Sequence, residues 1–342
     1  MTGGFKEMKR SKTITVVILS VLMASSLLAG CGSKQVADPS GAASTAATDW
    51  PKKTIQIVCP FAPGGDTDFN ARTISKYLTK ELGVDTVIVS TEGNGGAVGS
   101  RKAKESANDG YTVLMSSSAF ITNQLSGATD FGIDAFEFSS IFGQGPGNVV
   151  CVNPDLGVKD IEGLIEYSKA NPKKLKIAAN TGATTHVIAL MLQKAGIDGN
   201  IIDAGASADR IAALLGGHVD VIINSYGSVK DYISSGKFVA LGLDSQEEPE
   251  FITGIPTLTS LGYDIAFPSY YFFAFPKGTD QAIVDKFTKA VEKVVTTNAD
   301  YAADIPKGYY QSPQFYGGTE GLDKFNVAKE KIQSFQTQLS GK

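Results

Sequence analysis

From Lys53 onwards, short apolar runs alternate along the chain with longer stretches that have a helical period. This alternation is typical of repeated βαβ units. An apolar strand begins at Ile55, and apolar residues three or four apart from Ala71 to Leu82 predict a helix over 68–82. Further strands are predicted at 84–89, 111–115, 148–152, 175–179, 199–203, 219–223, 238–243 and 267–275. Further helices are predicted over 208–215, 280–297 and 320–339. Another follows the turn at 116–118, one begins at 228, and two end near 107 and 195.

The turn Pro60–Asp68 joins the first strand to the first helix. Gly64 and Gly65 let the backbone approach a bound molecule closely, and the first amides of a helix have no intrahelical partner. Such a turn can hold an anion without a cationic side chain. An ordinary βα connection is the alternative, but similar small, polar turns follow other strands, and this repetition favours a binding site.

The second glycine-rich turn, 91–100, resembles a nucleotide-binding loop only superficially. A G-x-G-x-x-G pattern that starts at Gly93 would need glycine where Val98 stands, and no Gly-Lys-[Ser/Thr] occurs in the chain. We therefore predict no cofactor.

A chain of 342 residues is long for one core and favours two domains. The strands at 148–152 and 238–243 are interpreted as crossings between them. We predict a discontinuous first domain, 50–147 with 245–342, and a second domain, 148–244.

Residues 1–31 have the features of an export signal. Basic residues precede an apolar run from Ile14 to Met23, which is short for a retained transmembrane anchor, the alternative interpretation. Leu28–Cys31 resembles the bacterial lipobox, which predicts lipidation of Cys31 and attachment to the bacterial cell membrane. Residues 32–49 are rich in Ser, Ala, Gly and Thr and predict a flexible tether.

Loss of residues 1–31 removes four of 31 basic and one of 35 acidic residues, which leaves a formal charge of about −7. This charge argues against a nucleic-acid surface. Cys59 and Cys151 both lie in apolar strand patterns, so we expect two buried free thiols, with a disulfide as the alternative.

Two other chemistries are weaker alternatives. A hydrolase could draw on Ser116–Ser118, on His186 or His218, and on Asp66 or Asp68, but no G-x-S-x-G elbow is present. A metal site has only Asp66 and Asp68 as closely spaced ligands, which are more typical of a helix cap and solvated surface.

Five ordered motifs resemble the solute-binding proteins of tripartite tricarboxylate transporters, the Bug or TctC family. They are 60–68, 93–99, 109–114, 182–186 and 214–220. The resemblance covers nearly the whole chain after Trp50. It implies an α/β type II periplasmic-binding-protein fold, with two α/β domains, two crossover strands and a cleft that grips a carboxylate between them.

The resemblance also implies the binding residues and the partners. In the first domain the ligand contacts would be Phe61, Ala62, Gly65, Asp66, Thr67, Asp68, Gly96, Ser117 and Ser118. In the second domain they would be Thr184, Thr185, His186, Ala206, Ser207 and Asn224. The ligand would be a di- or tricarboxylate, an aromatic acid or an amino-acid-like molecule, delivered by a monomeric protein to membrane permease subunits. A lipoprotein that presents its closed form to a receptor is the alternative.

Arginines are scarce in this chain, at 72, 101 and 210 within the resembling part, so we expect neutral amides and hydroxyls to hold the carboxylate. The first contact is expected at 64–68, with 184–186 and Ala206–Ser207 added on closure. Two departures from the family bear on the ligand. Asp66 stands where Ser is more usual, and Ala204–Ser207 replaces Tyr-Lys-Gly-Ser. Both departures favour a less anionic ligand.

Overall fold

A computed structural model describes residues 49–341. The predicted export signal, Cys31 and all but the last residue of the predicted tether lie outside the described residues. None of the helices between residues 49 and 341 is both long and apolar enough to cross a bilayer.

Within residues 49–341 the strands form two sheets. In chain order the strands are β1 (Ile55–Cys59), β2 (Thr86–Ser90), β3 (Thr112–Ser117), β4 (Phe136–Gly145), β5 (Asn148–Val152), β6 (Leu175–Ala179), β7 (Gly199–Asp203), β8 (Val221–Ser225), β9 (Val239–Leu243), β10 (Ser269–Pro276) and β11 (Ser312–Gly317). One sheet has the order β11-β4-β10-β3-β1-β2 and the other β7-β6-β8-β5-β9. We call the parts of the protein built on them the first lobe and the second lobe.

The α-helices cover the sheets and connect their strands. In chain order they are α1 (Asp66–Leu82), α2 (Ala97–Lys104), α3 (Ala119–Ser126), α4 (Ile161–Ala170), α5 (Thr184–Lys194), α6 (Ser207–Leu215), α7 (Tyr226–Ser234), α8 (Gln281–Thr297), α9 (Ala299–Asp304), α10 (Pro306–Tyr309), α11 (Gly318–Ile332) and α12 (Gln336–Ser340).

The two lobes repeat one topology. In the first lobe β2, β1 and β3 are parallel neighbours, and antiparallel β10 lies beside β3. In the second lobe β7, β6 and β8 are parallel neighbours, and antiparallel β5 lies beside β8. Ligands of such sheets bind outside the carboxyl ends of the parallel strands, which is where the strand-to-helix turns of this chain lie.

The two-domain fold class is confirmed, and the predicted strands at 148–152, 175–179 and 199–203 match β5, β6 and β7. The sequence predicts no strand between residues 116 and 147, but β4 lies there and pairs with both β10 and β11. The stretch 136–145 mixes serine, glutamine and glycine with its apolar residues, so its pattern does not alternate cleanly. The predicted residue limits of the two domains stay a prediction.

Cys59 and Cys151 are both free and buried, which confirms the expected thiols. Cys59 ends β1 in the first lobe, and Cys151 lies in β5 in the second lobe. Burial raises the pKa of Cys59 to about 12, so this thiol stays protonated and behaves as a small apolar side chain.

Candidate ligand-binding site

A cavity of about 580 Å³ opens between turns that follow the strands of both lobes. Its size is that of a small-molecule site. The predicted site residues that line it are Phe61, Ala62, Gly65, Asp66, Thr67, Gly96, Ser117, Thr184, Thr185, Ala206 and Ser207. Four other predicted residues, Asp68, Ser118, His186 and Asn224, are not among its lining residues.

The turn that precedes α1 is fixed by the side chain of Asp68. Gly64 has a left-handed backbone, and its N–H donates to Asp68 Oδ2 over 3.0 Å. The same oxygen accepts from Arg72 Nε at 2.8 Å, and Asp68 is only 3% exposed. Asp68 therefore folds back onto its own turn and leaves the cavity, as a carboxylate in the first turn of a helix can do.

Asp66, the first residue of α1, is half-buried and lines the cavity. Its Oδ1 accepts from the Thr67 N–H at 2.9 Å, and its Oδ2 accepts from the Tyr271 hydroxyl at 2.9 Å. Burial raises the pKa of Tyr271 well above its ordinary value, so the phenol keeps the proton that it donates. Two partners from different elements therefore hold this carboxylate in place.

The turn that precedes α5 has the same backbone form. Gly182 has a left-handed backbone, and its N–H donates to His186 Nδ1 over 3.5 Å. Burial lowers the pKa of His186, which favours the neutral ring that can accept this bond. His186 therefore supports the turn, while Thr184 and Thr185, at the start of the helix, line the cavity.

The turn before α6 is held from behind by Asn224, which is fully buried. Its Nδ2 donates to Ser207 Oγ at 2.6 Å, and its Oδ1 accepts from Arg210 Nε at 3.0 Å. Asn224 thus positions two lining residues and is not itself at the surface of the cavity.

Arg210 is a lining residue that the sequence analysis missed. It is 6% exposed, and its Nη1 donates to the carbonyl of Gly205 at 2.6 Å. Burial lowers the pKa of Arg210 to about 10, which still leaves it charged at neutral pH. One signal in the sequence could have identified Arg210 as a site residue, because it lies three residues after the predicted contact Ser207. The cavity therefore has one charged donor among its lining residues, and the expectation that neutral donors hold the carboxylate stays a prediction.

Ser117 and Ser118 end the third turn of the first lobe, but only Ser117 lines the cavity. Ser118 Oγ donates to the carbonyl of Pro268 at 2.6 Å and accepts from the Tyr270 N–H at 2.9 Å. Ser118 therefore ties this turn to β10.

The two lobes touch beside the cavity. Asn123 Nδ2 donates to the carbonyl of Gly95 at 3.1 Å and to that of Gly182 at 2.6 Å, one from each lobe. A Cβ atom on Gly95 would come within 2.8 Å of the Gly182 carbonyl carbon. The backbones thus meet at a distance that only glycine permits at position 95.

A second lobe contact lies at Gly227 of α7, where a Cβ atom would meet the carbonyl oxygen of Gly308 in α10. Next to it, the rings of Tyr226 and Tyr310 meet edge to face at 4.9 Å.

Asn148, at the start of β5, lines the cavity where the chain passes between the lobes. Its backbone N–H and its Nδ2 both donate to the carboxyl group of Asp244, just after β9. Burial raises the pKa of Asp244 to about 7. One side-chain pair therefore joins both connections between the sheets.

Among residues 49–341, no group of three or more histidine, cysteine or acidic side chains is arranged to hold a metal ion. The lining residues are mostly small or polar, and this arrangement suits a small polar ligand held by amides and hydroxyls.

Comparisons with known proteins show the family and the fold of this chain. A family described as "Tripartite tricarboxylate transporter family receptor" matches residues 70–311. Protein BugT of Bordetella pertussis is 32% identical over 275 residues, which are 78% of this chain and 84% of that protein. Among solved structures, one described as a periplasmic transporter has a TM-score of 0.74 at 26% identity and covers 85% of this chain and 97% of its own. An R. palustris protein solved with adipate has a TM-score of 0.75 at 22% identity, covers 86% of this chain and 99% of its own, and supports the fold.

Proposed function

Because the chain belongs to the tripartite tricarboxylate transporter receptor family, we propose that it is an extracytoplasmic solute-binding protein of such a transporter. It captures a small carboxylate by hinge closure and delivers it to membrane permease subunits. The observation that carries this proposal is the cavity of about 580 Å³ between the lobes, lined by helix-start turns from both.

Backbone amides and hydroxyls at helix starts are available to the ligand in both lobes. The first residues of α1 and α5 have amides without intrahelical partners, and Thr67 and Thr185 stand at these helix starts. Since the turns come from both lobes, a ligand that contacts both stabilises the closed form and shifts the population towards it.

Asn148 and Asp244 support the proposed hinge, because they join the two connections between the sheets. The lobe limits at 147/148 and 244/245 are part of the proposal.

A thermal-shift screen of the purified full-length protein tests the function. The panel contains succinate, adipate, citrate, aromatic acids and amino acids. A compound at 100 times its Kd stabilises the protein by about 2.7 kcal/mol, which moves the melting temperature by several degrees. Titration calorimetry then gives the affinity. If no carboxylate in the panel shifts the melting temperature, the solute-binding proposal is refuted.

Binding is favoured over catalysis by the surroundings of the residues that could act as nucleophile and base. Ser118 Oγ is engaged by Pro268 and Tyr270, and His186 Nδ1 faces the amide of Gly182. A nucleophile needs a base within hydrogen-bond reach. Chromatographic detection of products after incubation with each bound compound would contradict this view.

We also propose that Cys31 is lipidated and that residues 32–49 tether the folded part to the membrane. Cys31→Ser is expected to release the protein from the membrane fraction. Equal membrane association of the variant and the natural protein would refute the anchor while leaving the solute-binding role open.

A further inference from the structure

The charges around the cavity do not suit a plain dicarboxylate. Among the described residues the charged side chains that line it are Asp66, Glu92, Asp209 and Arg210. Glu92 and Asp209 are exposed, and Asp209 Oδ2 accepts from the N–H of Ala206 at 3.0 Å as a helix cap. Asp66 and Arg210 are the less exposed pair of opposite charges.

Arg210 has no acidic partner of its own. Within residues 49–341 no carboxylate lies within ion-pair distance of it, and its acceptors are neutral: the carbonyls of Gly205 and Ile223 and the amide oxygen of Asn224. No hydrogen bond from Nη2 to a described residue is present. A buried cation without a counter-charge is costly, so an anionic group of a ligand would stabilise it.

Asp66 likewise has no cationic partner within ion-pair distance in the described part of the chain. Its Oδ1 accepts from the N–H and the hydroxyl of Thr67, whereas its Oδ2 accepts only from Tyr271 among the described residues, which leaves acceptor capacity on Oδ2. The carboxylate also occupies the Thr67 amide, a donor that an anionic ligand would otherwise use. The first-lobe turn therefore repels a carboxylate and attracts a cation.

The second-lobe turn has the opposite character. The first turn of α5 contains no acidic residue, and the amides of Thr184 and Thr185 are at its start without intrahelical partners. Asp66 and Arg210 also interact electrostatically. The charge of Asp66 raises the pKa of Arg210 more than the charges of Asp209 and Asp203 do, against the lowering by burial. Both poles line the same cavity.

We propose that the ligand is a zwitterion whose ammonium group binds Asp66 in the first lobe and whose carboxylate binds Arg210 and the start of α5 in the second. This inference rests on the proposed solute-binding function and narrows its ligand class. It divides the two charges of the ligand between the lobes, so closure is favoured by both poles together.

Matched probes test the proposal by titration calorimetry on the purified full-length protein. The pairs differ only by an ammonium in place of one carboxylate: β-alanine and succinate, 4-aminobutyrate and glutarate, 5-aminopentanoate and adipate. Glutamine and alanine are added as α-amino acids. We expect at least one zwitterion to bind at least tenfold more tightly than every dicarboxylate.

The variant Asp66→Asn keeps the side-chain shape and an acceptor for Thr67 but removes the charge. It is expected to weaken binding of the preferred zwitterion at least tenfold and to weaken dicarboxylate binding little or not at all. Glu105→Gln, which removes an exposed charge outside the cavity, is the matched control and should change neither affinity. Arg210→Lys keeps the buried charge and should weaken both classes, with circular dichroism to verify the fold.

The outcomes separate the two proposals. Dicarboxylate binding without a zwitterion preference, or an unchanged preference in Asp66→Asn, overturns the zwitterion and leaves the solute-binding function standing. Failure of every probe, including those of the broader thermal-shift panel, overturns both.

Discussion

The turns at the starts of α1 and α5 are two versions of one device. Gly64 and Gly182 each take a left-handed backbone, and each N–H donates to the side chain four residues later, Asp68 in one lobe and His186 in the other. A threonine precedes that side chain in both turns. The two turns therefore share one backbone conformation. A different side chain stabilises it in each lobe, at the third residue of the helix.

The two turns differ most at the first helical residue, which is Asp66 in the first lobe and Thr184 in the second. Both line the cavity, so this one position sets the local charge. The backbone provides helix-start amides in each lobe, and under the zwitterion proposal this side chain decides whether an anionic group can use them. The fold and the proposed specificity of this site are then encoded at different positions.

The largest effect is expected at the contact between the Gly182 turn of the second lobe and Gly95 of the first lobe. Gly95→Ala would place a Cβ atom 2.8 Å from the Gly182 carbonyl carbon in a left-handed backbone. We expect strain and clash to disfavour closure by about 3 kcal/mol, or about 100-fold in affinity. Titration calorimetry measures the affinity, and small-angle scattering with ligand reports the closure.

Gly127→Ala is the matched control, because Gly127 lies outside the cavity and has the same left-handed backbone with no atom within 4 Å of the new Cβ. It should lower stability without preventing closure. Equal losses of affinity in the two variants would show that strain, and not the contact between lobes, is responsible.

A smaller effect is expected at the paired threonines. Thr67→Leu and Thr185→Leu each put a bulky apolar group at a nearly buried position of the cavity and should weaken binding at least tenfold, which is about 1.4 kcal/mol. Calorimetry on both variants tests whether the ligand contacts both lobes. An effect at one threonine alone would restrict the site to one lobe, and no effect at either would remove the site assignment.

Thr67→Val and Thr185→Val are the volume-matched controls. They separate loss of the hydroxyl from added bulk, and the Thr185 hydroxyl also accepts from the Asn180 N–H at 2.9 Å. Thermal melts of all four variants report any loss of folding.

The sequence predicts these turns well because their signals are local. Glycines, small polar residues and a helical stripe after a strand give the positions of the turns without any tertiary information. The capping role of Asp68 is also local, since an acidic residue in the first turn of a helix commonly accepts from a nearby amide. The sequence nevertheless predicts Asp68 as a ligand contact, because every residue of a binding turn is a candidate and the pattern does not show which side chains face the cavity.

The parts that the sequence does not predict depend on packing between distant segments. Asn224 lies fourteen residues from Arg210, and only the stacking of β8 against α6 brings them to 3.0 Å. Arg210 falls in a helix whose pattern is that of an ordinary amphipathic surface. Likewise β4 is defined by pairing with β10 and β11, far along the chain, and its own residues carry a weak strand pattern.

Asp68 and His186, which accept from the N–H groups of Gly64 and Gly182, should differ in their effect on stability. Asp68 is a buried carboxylate with a 3.0 Å bond from Gly64 and an ion pair with Arg72, whereas the His186 bond is 3.5 Å long. We expect Asp68→Ala to lower the free energy of unfolding by about 1–2 kcal/mol. His186→Ala should cost less, about 0.5 kcal/mol. Urea denaturation measures both, and a larger loss at His186 would contradict the assigned roles.

The smallest effect concerns pH and distinguishes the two caps further. Burial lowers the pKa of His186 in the folded protein, although the charge of Asp203 opposes this, so the unfolded chain binds a proton more readily. The stability from neutral His186 is therefore fully present above the ordinary histidine pKa of about 6.5 and is lost as the pH falls through the lower folded value.

His186→Gln, which keeps an acceptor but cannot titrate, should lose less stability than the natural protein between pH 7.5 and pH 5. His218→Gln is the matched control at an exposed histidine. Identical pH dependence in the natural protein and His186→Gln would mean that protonation of His186 does not weaken the turn. Asp68 and His186 would then differ only in the length of the hydrogen bond that each accepts.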